Sequence, residues 1–585
     1  MLRLAQGWYA SDERAMAWGL TLATLALKLL QIGIALRLNL WHRDAFNALE
    51  QRQGDALAGQ AWLFLALAGA SIATAVAQLY ARQMLALRWR AWLVNRLQDR
   101  WLARDCHWHL GLLPGGADNP DQRISENTRW ATVMTVDLVL GLVQSVLLFV
   151  SFAGILWSLS GPVSLPFADA PVAIPGSLVL AAIVYAFIGS SLTWIVGRPL
   201  VDIHIRRNQA ESDHRFALLR VRESGEAVAM LGGGAVEAKG LRQSFGQVLA
   251  VMGDLLRRER HLMWLGSGYG MVAAALPLLL LAPSFVAGTV SLGTLMQATQ
   301  AFAEVVVALS WLQEAWPRIA DWRSHAERVV ALEDSLEAAE AARAASGILL
   351  AAGPDAAGRE VLAFEGVRLS CPAGGVMVRE ASAEIVAGER VLIQGESGAG
   401  KSLLLRAAMG LWPWGEGAIR TPERAAMLVL PQRPYLPLGA LGAALAYPGG
   451  VEAFSPAAMQ AALVRCGLGA LVGRLGEVAR WDAVLSLGEQ QRLGFARLLL
   501  HRPRWVLMDE ATSALDEAAQ SAMLRLVAEA LPDSAVVSVG HRPGLAAWHD
   551  RVLVMVRSAE GARLEEGVGG VASASLSKVP ALLVS

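Results

Sequence analysis

Lysine is almost missing from this chain. Of 51 basic residues only Lys28, Lys239, Lys401 and Lys578 are lysines. The arginine bias reflects coding more than function, but it makes Lys401 stand out. Charge is sparse altogether: 17% of residues are charged, against about 25% in an ordinary soluble protein. The 51 basic residues balance 51 acidic ones, so the total leaves no electrostatic footprint for nucleic acid. Cysteine is rarer still. Cys106, Cys371 and Cys466 are too few and too scattered for a disulfide framework. Cys106 lies close to His107 and His109, but no second ligand pair follows at zinc spacing, and a polar patch on a helix end is the plainer reading. The stretch Met1–Arg14 lacks the charged start, apolar run and small-residue site of a cleaved signal. With Trp8 and Tyr9 beside Asp12, Glu13 and Arg14, it reads as a short helix lying in a membrane interface.

What the chain has in abundance is apolar length. The hydrophobic fraction is 54%, concentrated in the first 325 residues. A spanning helix takes about 20 apolar residues, and six candidates run near 17–38, 61–80, 131–159, 176–196, 262–286 and 292–316. The last two are divided only by a short turn at 288–293. Arginines crowd the connections 82–130 and 198–261, whereas 160–175 and 287–292 contain no Lys or Arg. Basic connections stay cytoplasmic, so the N-terminus and both long loops are expected there. The loops keep helical periodicity, which implies helices projecting beyond the bilayer. Helix-breaking chemistry at Asp118–Arg123, and again around Glu226 and Gly232–Gly234, marks two expected turns. Beyond an Ala/Glu-rich helix the pattern becomes soluble α/β. The expected division is a transmembrane domain over 1–335, a linker over 336–360 and a nucleotide-binding domain over 361–585.

The chemistry lies in the last third. A strand ending at Gln394 runs into Gly395, Glu396, Ser397, Gly398, Ala399, Gly400, Lys401 and Ser402, and a helix follows. This is the phosphate-cradling P-loop in its strand–loop–helix context. Backbone N–H groups and the helix N-terminus face the phosphates, Lys401 adds a point charge, and Ser402 is expected to ligate Mg2+. About 110 residues on, the apolar strand Trp505–Met508 closes on Asp509 and Glu510. Adjacent carboxylates there are costly without a cation. Asp509 is the expected Mg2+ ligand and Glu510 the base that orients the attacking water.

Leu485–Arg492 resembles the ABC signature, usually written LSGGQ. Leu487 stands at its third position and Glu489 at its fifth, while Ser486 and Gly488 remain. The resemblance continues in order: Gln432 matches the Q-loop that senses magnesium, Asp516 the D-loop, and His541 the switch histidine at the terminal phosphate. It implies an all-α, six-helix exporter-type transmembrane domain followed by an α/β P-loop ATPase, together a multidomain membrane protein that hydrolyses ATP with Mg2+. It also implies a homodimer, because each ATP sits between one subunit's P-loop and the other's signature. The usual adenine-stacking aromatic is absent from 369–376; Phe364 is too early.

Further residues narrow the resemblance. Leu38–Trp41, Phe46–Leu49, Asn119–Ile124 and Pro431–Tyr435 are similar to SbmA/BacA-like transporters, and most to their full-length bacterial branch with a fused ATPase (YddA-type). That group implies a bacterial inner membrane, a lipid surround, and import of bulky hydrophilic cargo: antimicrobial peptides, bleomycin or cobalamin. The same motifs resemble the peroxisomal subfamily D, which implies fatty acyl-CoA instead. Export of lipid or drug, and a non-pumping ATP-gated regulator, are the alternatives. Gln297, Gln300 and Glu304 recur at i, i+3 and i+7, so they share one helix face. With Lys28, Gln31, Asp137 and Gln144 they read as the lining of a polar cavity. Hydrogen bonding between packed helices is the competing reading.

Overall fold

The computed structural model describes residues 1–113, 119–160, 176–372, 374–542 and 544–567. The expected turn residue Asp118 and most of the connection 160–175 lie outside them. The chain divides into two compact units, Met1–Asp99 with Asn119–Glu333, and Arg100–Asp118 with Asp334–Ser585.

The first unit is helical. Arg14–Glu50, Gly54–Leu102, Thr128–Leu159, Ser177–Glu223, Gly234–Val286 and Leu292–Ala344 carry six segments long and apolar enough to cross a membrane. At about 1.5 Å per residue the 49 residues of Gly54–Leu102 span about 74 Å. That is more than twice the roughly 30 Å hydrocarbon core, so the arginine-rich stretches are continuations of the spanning helices. Apolar side chains such as Trp62, Leu65, Ile72 and Val76 are exposed, as a lipid-facing surface requires. The last spanning segment is the most enclosed. Half of its apolar window is buried, against 6–22% in the other five. Phe302 and Val305 on it pack with Ile32, Phe152 and Leu156 in one cluster.

The stretch Met1–Arg14 begins with the helix Leu2–Tyr9. Its Trp8 is buried and stacks on Trp89 with ring centroids 6.3 Å apart. The residues that carry the narrower family resemblance are structural fasteners. Asn39 donates to the Gln297 carbonyl at 3.0 Å, and the Gly293 N–H donates to Asn47 Oδ1 at 3.0 Å. Trp41 donates to the Gln60 carbonyl at 2.8 Å.

The polar residues of the spanning helices are mostly bonded from one helix to another, which is the packing reading. Gln297 is buried and takes part in the link to Asn39, which is helix packing. Gln300 donates to Glu304 at 3.5 Å along its own helix, Arg82 pairs with Asp137 at 3.2 Å, and Lys28 donates to Gln144.

The second unit is built on a ten-stranded sheet. Its parallel part runs, neighbour to neighbour, through Arg551–Val556, Arg390–Gly395, Ala535–Val539, Trp505–Asp509 and Met427–Leu430. Alternation on these strands feeds two cores. Leu392, Val506, Met508 and Val536 enter one face, and Val391, Ile393, Trp505, Leu507 and Val537 enter the other. In the stretch expected as linker, Gly347–Ala352 forms an outermost strand parallel to Gly415–Thr421. Only Ile348 of that strand is buried, so its sequence shows no clear alternation.

The short helix Cys106–Leu110 belongs to this unit. Trp108 donates to the Leu411 carbonyl at 3.1 Å and lies under the Arg406 guanidinium at 5.4 Å, while Leu112 packs on the second apolar core. The first long connection therefore meets the ATPase unit through 106–112. The Asn-Pro turn Asn119–Arg123 belongs to the helical unit. Cys106 and His109 are buried, and among the described residues no group of three His, Cys, Asp or Glu is placed to hold a metal. The second expected turn is the six-residue helix Gly225–Met230, with Met230 and Leu231 81% and 85% exposed.

Candidate active site

Four parallel strands end at one edge of the sheet, and each delivers a functional residue just beyond its last rung. This is the crevice at the carboxyl ends of strands where α/β sheets bind ligands. Arg390–Gly395 delivers the loop Glu396–Gly400, Trp505–Asp509 ends on its own Asp509 followed by Glu510, Met427–Leu430 leads to Gln432, and Ala535–Val539 leads to His541.

Gly400 precedes the helix Lys401–Ala408 at φ +91°, and a Cβ there would meet Val378 Cγ2 at 2.8 Å. Only glycine fits that turn. Glu396, Ser397 and Gly398 are exposed in the loop, while Ala399 is buried beneath it. Lys401 is 6% exposed and its Nζ donates to the carbonyls of Gly395 at 2.9 Å and Glu396 at 2.7 Å. These bonds hold the ammonium over the loop.

Ser402 Oγ donates to Asp509 Oδ1 at 2.7 Å, so the two expected metal ligands are already neighbours. Gln432 Nε2 donates to Glu510 Oε2 at 3.0 Å, and His541 Nδ1 lies 3.6 Å from Glu510 Oε1. Glu510 sits at φ +48°, sparsely populated backbone for a residue with a Cβ. It is pinned there by its own N–H, which donates to the Val539 carbonyl at 3.0 Å. Backbone strain of this kind gathers at functional sites. The set Ser402, Asp509, Glu510, Gln432 and His541 is thus one connected constellation.

Ser486, Gly488 and Asp516 fall in a second cluster. Ser486 caps the helix Leu487–His501 in a capping box with Glu489. Glu489 Oε2 accepts from the Ser486 hydroxyl at 2.7 Å and from its N–H at 2.9 Å, which hold the carboxyl below its usual range. The departure from the usual glutamine therefore strengthens the cap. A Cβ at Gly488 would come within 3.2 Å of the Ala514 carbonyl, so this glycine lets the helix start approach the segment before Asp516. Asp516 caps the next helix, Glu517–Ala530, accepting from Ala519 N–H at 2.7 Å.

Reading the sequence missed the residues that join these clusters. Gln491 is buried; its Nε2 donates to the Gln432 carbonyl at 2.9 Å and to Ser513 Oγ at 3.1 Å, and its Oε1 accepts from Ala514 N–H at 3.0 Å. Arg542 donates to the carbonyls of Ser513 and Leu515. Position beside the signature and beside His541 was the only available signal. Phe364 is in the apolar core, 2% exposed, and has no face to offer an adenine.

Comparison with known proteins bears on the family and the fold. A family described as "ABC transporter transmembrane region 2" matches residues 8–286, and one described as "ABC transporter" matches 378–513. The Escherichia coli "Inner membrane ABC transporter ATP-binding protein YddA" is 30% identical, covering 90% of this chain and 92% of its own. The Mus musculus "Lysosomal cobalamin transporter ABCD4" is 28% identical, covering 80% of each. A solved bacterial Atm1-family ABC exporter with ATP bound superimposes with a TM-score of 0.71 at 18% identity, over 94% of this chain and 95% of its own.

Proposed function

Because the chain belongs to the ABC transporters that join a membrane-spanning domain and an ATP-hydrolysing domain in one polypeptide, we propose that two copies form a homodimer in a bacterial inner membrane and import bulky hydrophilic solutes. The observation that carries the ATP-driven part is the constellation around Glu510. Its carboxylate is held by Gln432 at 3.0 Å, faces His541 at 3.6 Å, and follows directly on the Asp509–Ser402 pair.

The site fits ATP with Mg2+. The turn at Gly400 cannot accept a Cβ, Lys401 is poised above the loop, and two oxygen ligands lie side by side. Ser402, Asp509 and Gln432 would hold the Mg2+, which neutralises charge on the phosphates. The backbone of Gly395–Gly400 and the Lys401 ammonium bind the phosphates. Glu510 orients the attacking water, and His541 contacts the terminal phosphate. Ser486 and Gly488, with Asp516 behind them, complete the partner's site, since one chain has one P-loop and one signature. The exposed Met230 and Leu231 suit docking on that partner.

Import of hydrophilic cargo rests on two supports. A relative is named a cobalamin transporter, and Gln300 and Glu304, bonded to each other along their own spanning helix, are residues that lipid does not favour. The exporter-type fold carries no direction by itself. Export of lipid or drug, transport of acyl-CoA, and ATP gating without pumping are the rival readings. The test is sensitivity to bleomycin and proline-rich peptides in bacteria lacking their own uptake route, with wild type beside Glu510→Gln. Sensitisation by wild type alone supports ATP-driven import. No sensitisation by a folded, ATP-hydrolysing protein rejects it.

A further inference from the structure

The fourth and fifth spanning helices, Ser177–Glu223 and Gly234–Val286, enclose a cleft of about 530 Å³ just where their apolar runs end. Asp202 and Arg206 line it from one helix, and Asp254, Arg257, Arg258 and His261 from the other. Arg257 pairs with Asp254 at 3.3 Å on its own helix. Among the described residues Arg206 and Arg258 have no such ion pair, and Asp202 is the one other acid in the lining. The balance is positive, and His261 beside it adds a further donor.

The level of the cleft is marked independently. Trp194 and Trp264 are 57% and 77% exposed, and the Arg198 guanidinium lies 5.5 Å from the centroid of the Trp194 ring. Exposed tryptophans mark the membrane–water interface. Seven residues, about 10 Å of helix, separate Trp264 from Arg257. Arg206 lies further along the other helix, but side chains there lean towards the helix N-terminus, which is the membrane direction for Ser177–Glu223. Arg206 therefore leans back towards the bilayer, whereas Arg257 and Arg258 on Gly234–Val286 lean the other way, so their level rests on the short separation from Trp264 and on sharing one cleft with Arg206. Arginine forks match phosphate oxygens, and basic pockets between membrane helices on this side suit phosphate-bearing headgroups.

We propose that this cleft is a binding site for the phosphate headgroup of an anionic phospholipid of the cytoplasmic leaflet. The full-length chain in uncharged detergent would be titrated with short-chain phosphatidylglycerol, and bound lipid counted by native mass spectrometry. Wild type should bind, and R206Q/R258Q should bind roughly 30-fold more weakly, about 2 kcal/mol at 1.4 kcal/mol per tenfold. R220Q/R222Q removes the same amount of charge, from Ser177–Glu223 outside the cleft, and should bind as wild type. Retained basal ATPase in both variants verifies folding. Equal weakening in the two variants would reduce the effect to general electrostatics and overturn the proposal. Displacement of the lipid by inorganic phosphate at matching concentration would also overturn it, by making the cleft a site for soluble anions.

Discussion

Trp108 is the residue whose removal tests how the first long connection reaches the ATPase unit. Trp108→Ala deletes a half-buried ring, its hydrogen bond to the Leu411 carbonyl and its contact with Arg406. Half of a tryptophan's usual buried area is about 100 Å², worth about 2.5 kcal/mol at about 25 cal/mol per Å². The hydrogen bond adds about 1 kcal/mol and the exposed cation–π contact about 0.5 kcal/mol. The sum, about 4 kcal/mol, corresponds to nearly a thousandfold in local docking. It is an upper figure, because Leu112 still packs on the core and Arg343 still donates to the Arg104 carbonyl at 2.8 Å. Hydrogen exchange on the full-length protein reads the change directly. Amides of 106–112 should lose protection while those of Trp505–Asp509 keep theirs. ATP hydrolysis should persist while transport falls. Trp108→Phe, which keeps most of the ring area, should lose only about 1 kcal/mol of protection. Unchanged exchange at 106–112 in Trp108→Ala would refute the assignment.

Three further substitutions probe the ATPase unit. Gln491→Ala should lower kcat roughly tenfold or more with little change in nucleotide affinity, since small displacements of catalytic groups are costly; steady-state ATPase beside nucleotide binding checks it, and an unchanged kcat counts against the bridge. Arg497 is buried, donates to the carbonyls of Ala444 and Tyr435, and has its pKa lowered to about 10 by burial. Arg497→Met should cost about 2 kcal/mol, because carbonyls left without donors outweigh the relief of burying a charge, and thermal unfolding reads it. His549 is held below its usual range chiefly by burial, with Ser538 Oγ 2.7 Å from Nε2 and the Leu545 carbonyl 2.8 Å from Nδ1. Above its unfolded pKa of about 6.5 it costs nothing; as pH falls below that, the unfolded chain takes the proton first and stability drops. The buried His109 and the half-buried His325 carry the same sign, so His549→Gln should flatten part of the Tm decline between about pH 7 and pH 5, and an unaltered slope would remove His549 from the cause.

The residues of the candidate constellation were legible because each ends or closely follows a strand or opens a helix, and such positions are fixed by local pattern. The apolar strand Trp505–Met508 had to end where two carboxylates begin, and Gly395–Ser402 had to turn. The bridges were not legible, because Gln491 and Arg542 act on backbone carbonyls far away in sequence, and a carbonyl has no sequence identity to match. The docking helix was hidden for a related reason. Trp108 and Leu112 are four residues apart and form one face, but Cys106, His107 and His109 around them suggested a polar patch. The Asn-Pro turn nearby gave the stronger signal, and it opens the short helix Pro120–Gln122. Gln297 was half legible: its i, i+3, i+7 spacing placed it on a face, but spacing cannot tell a cavity from a neighbouring helix, and its backbone is bound by Asn39.

The same bridges indicate how the site could act as one body. The segment Ser513–Leu515 is held from three directions: by close approach at Gly488, by Gln491 and by Arg542. Gln491 also holds the Gln432 backbone, and Gln432 in turn holds Glu510. Arg542 is the immediate neighbour of His541, which faces Glu510 from the other side. A shift of the Ser486 cap on contact with a partner's nucleotide would therefore be carried along the Leu487–His501 helix into both groups that position Glu510. In the proposed homodimer, hydrolysis at one site would then be coupled to closure of the other through hydrogen bonds made inside each subunit, and Gln491 would serve both routes.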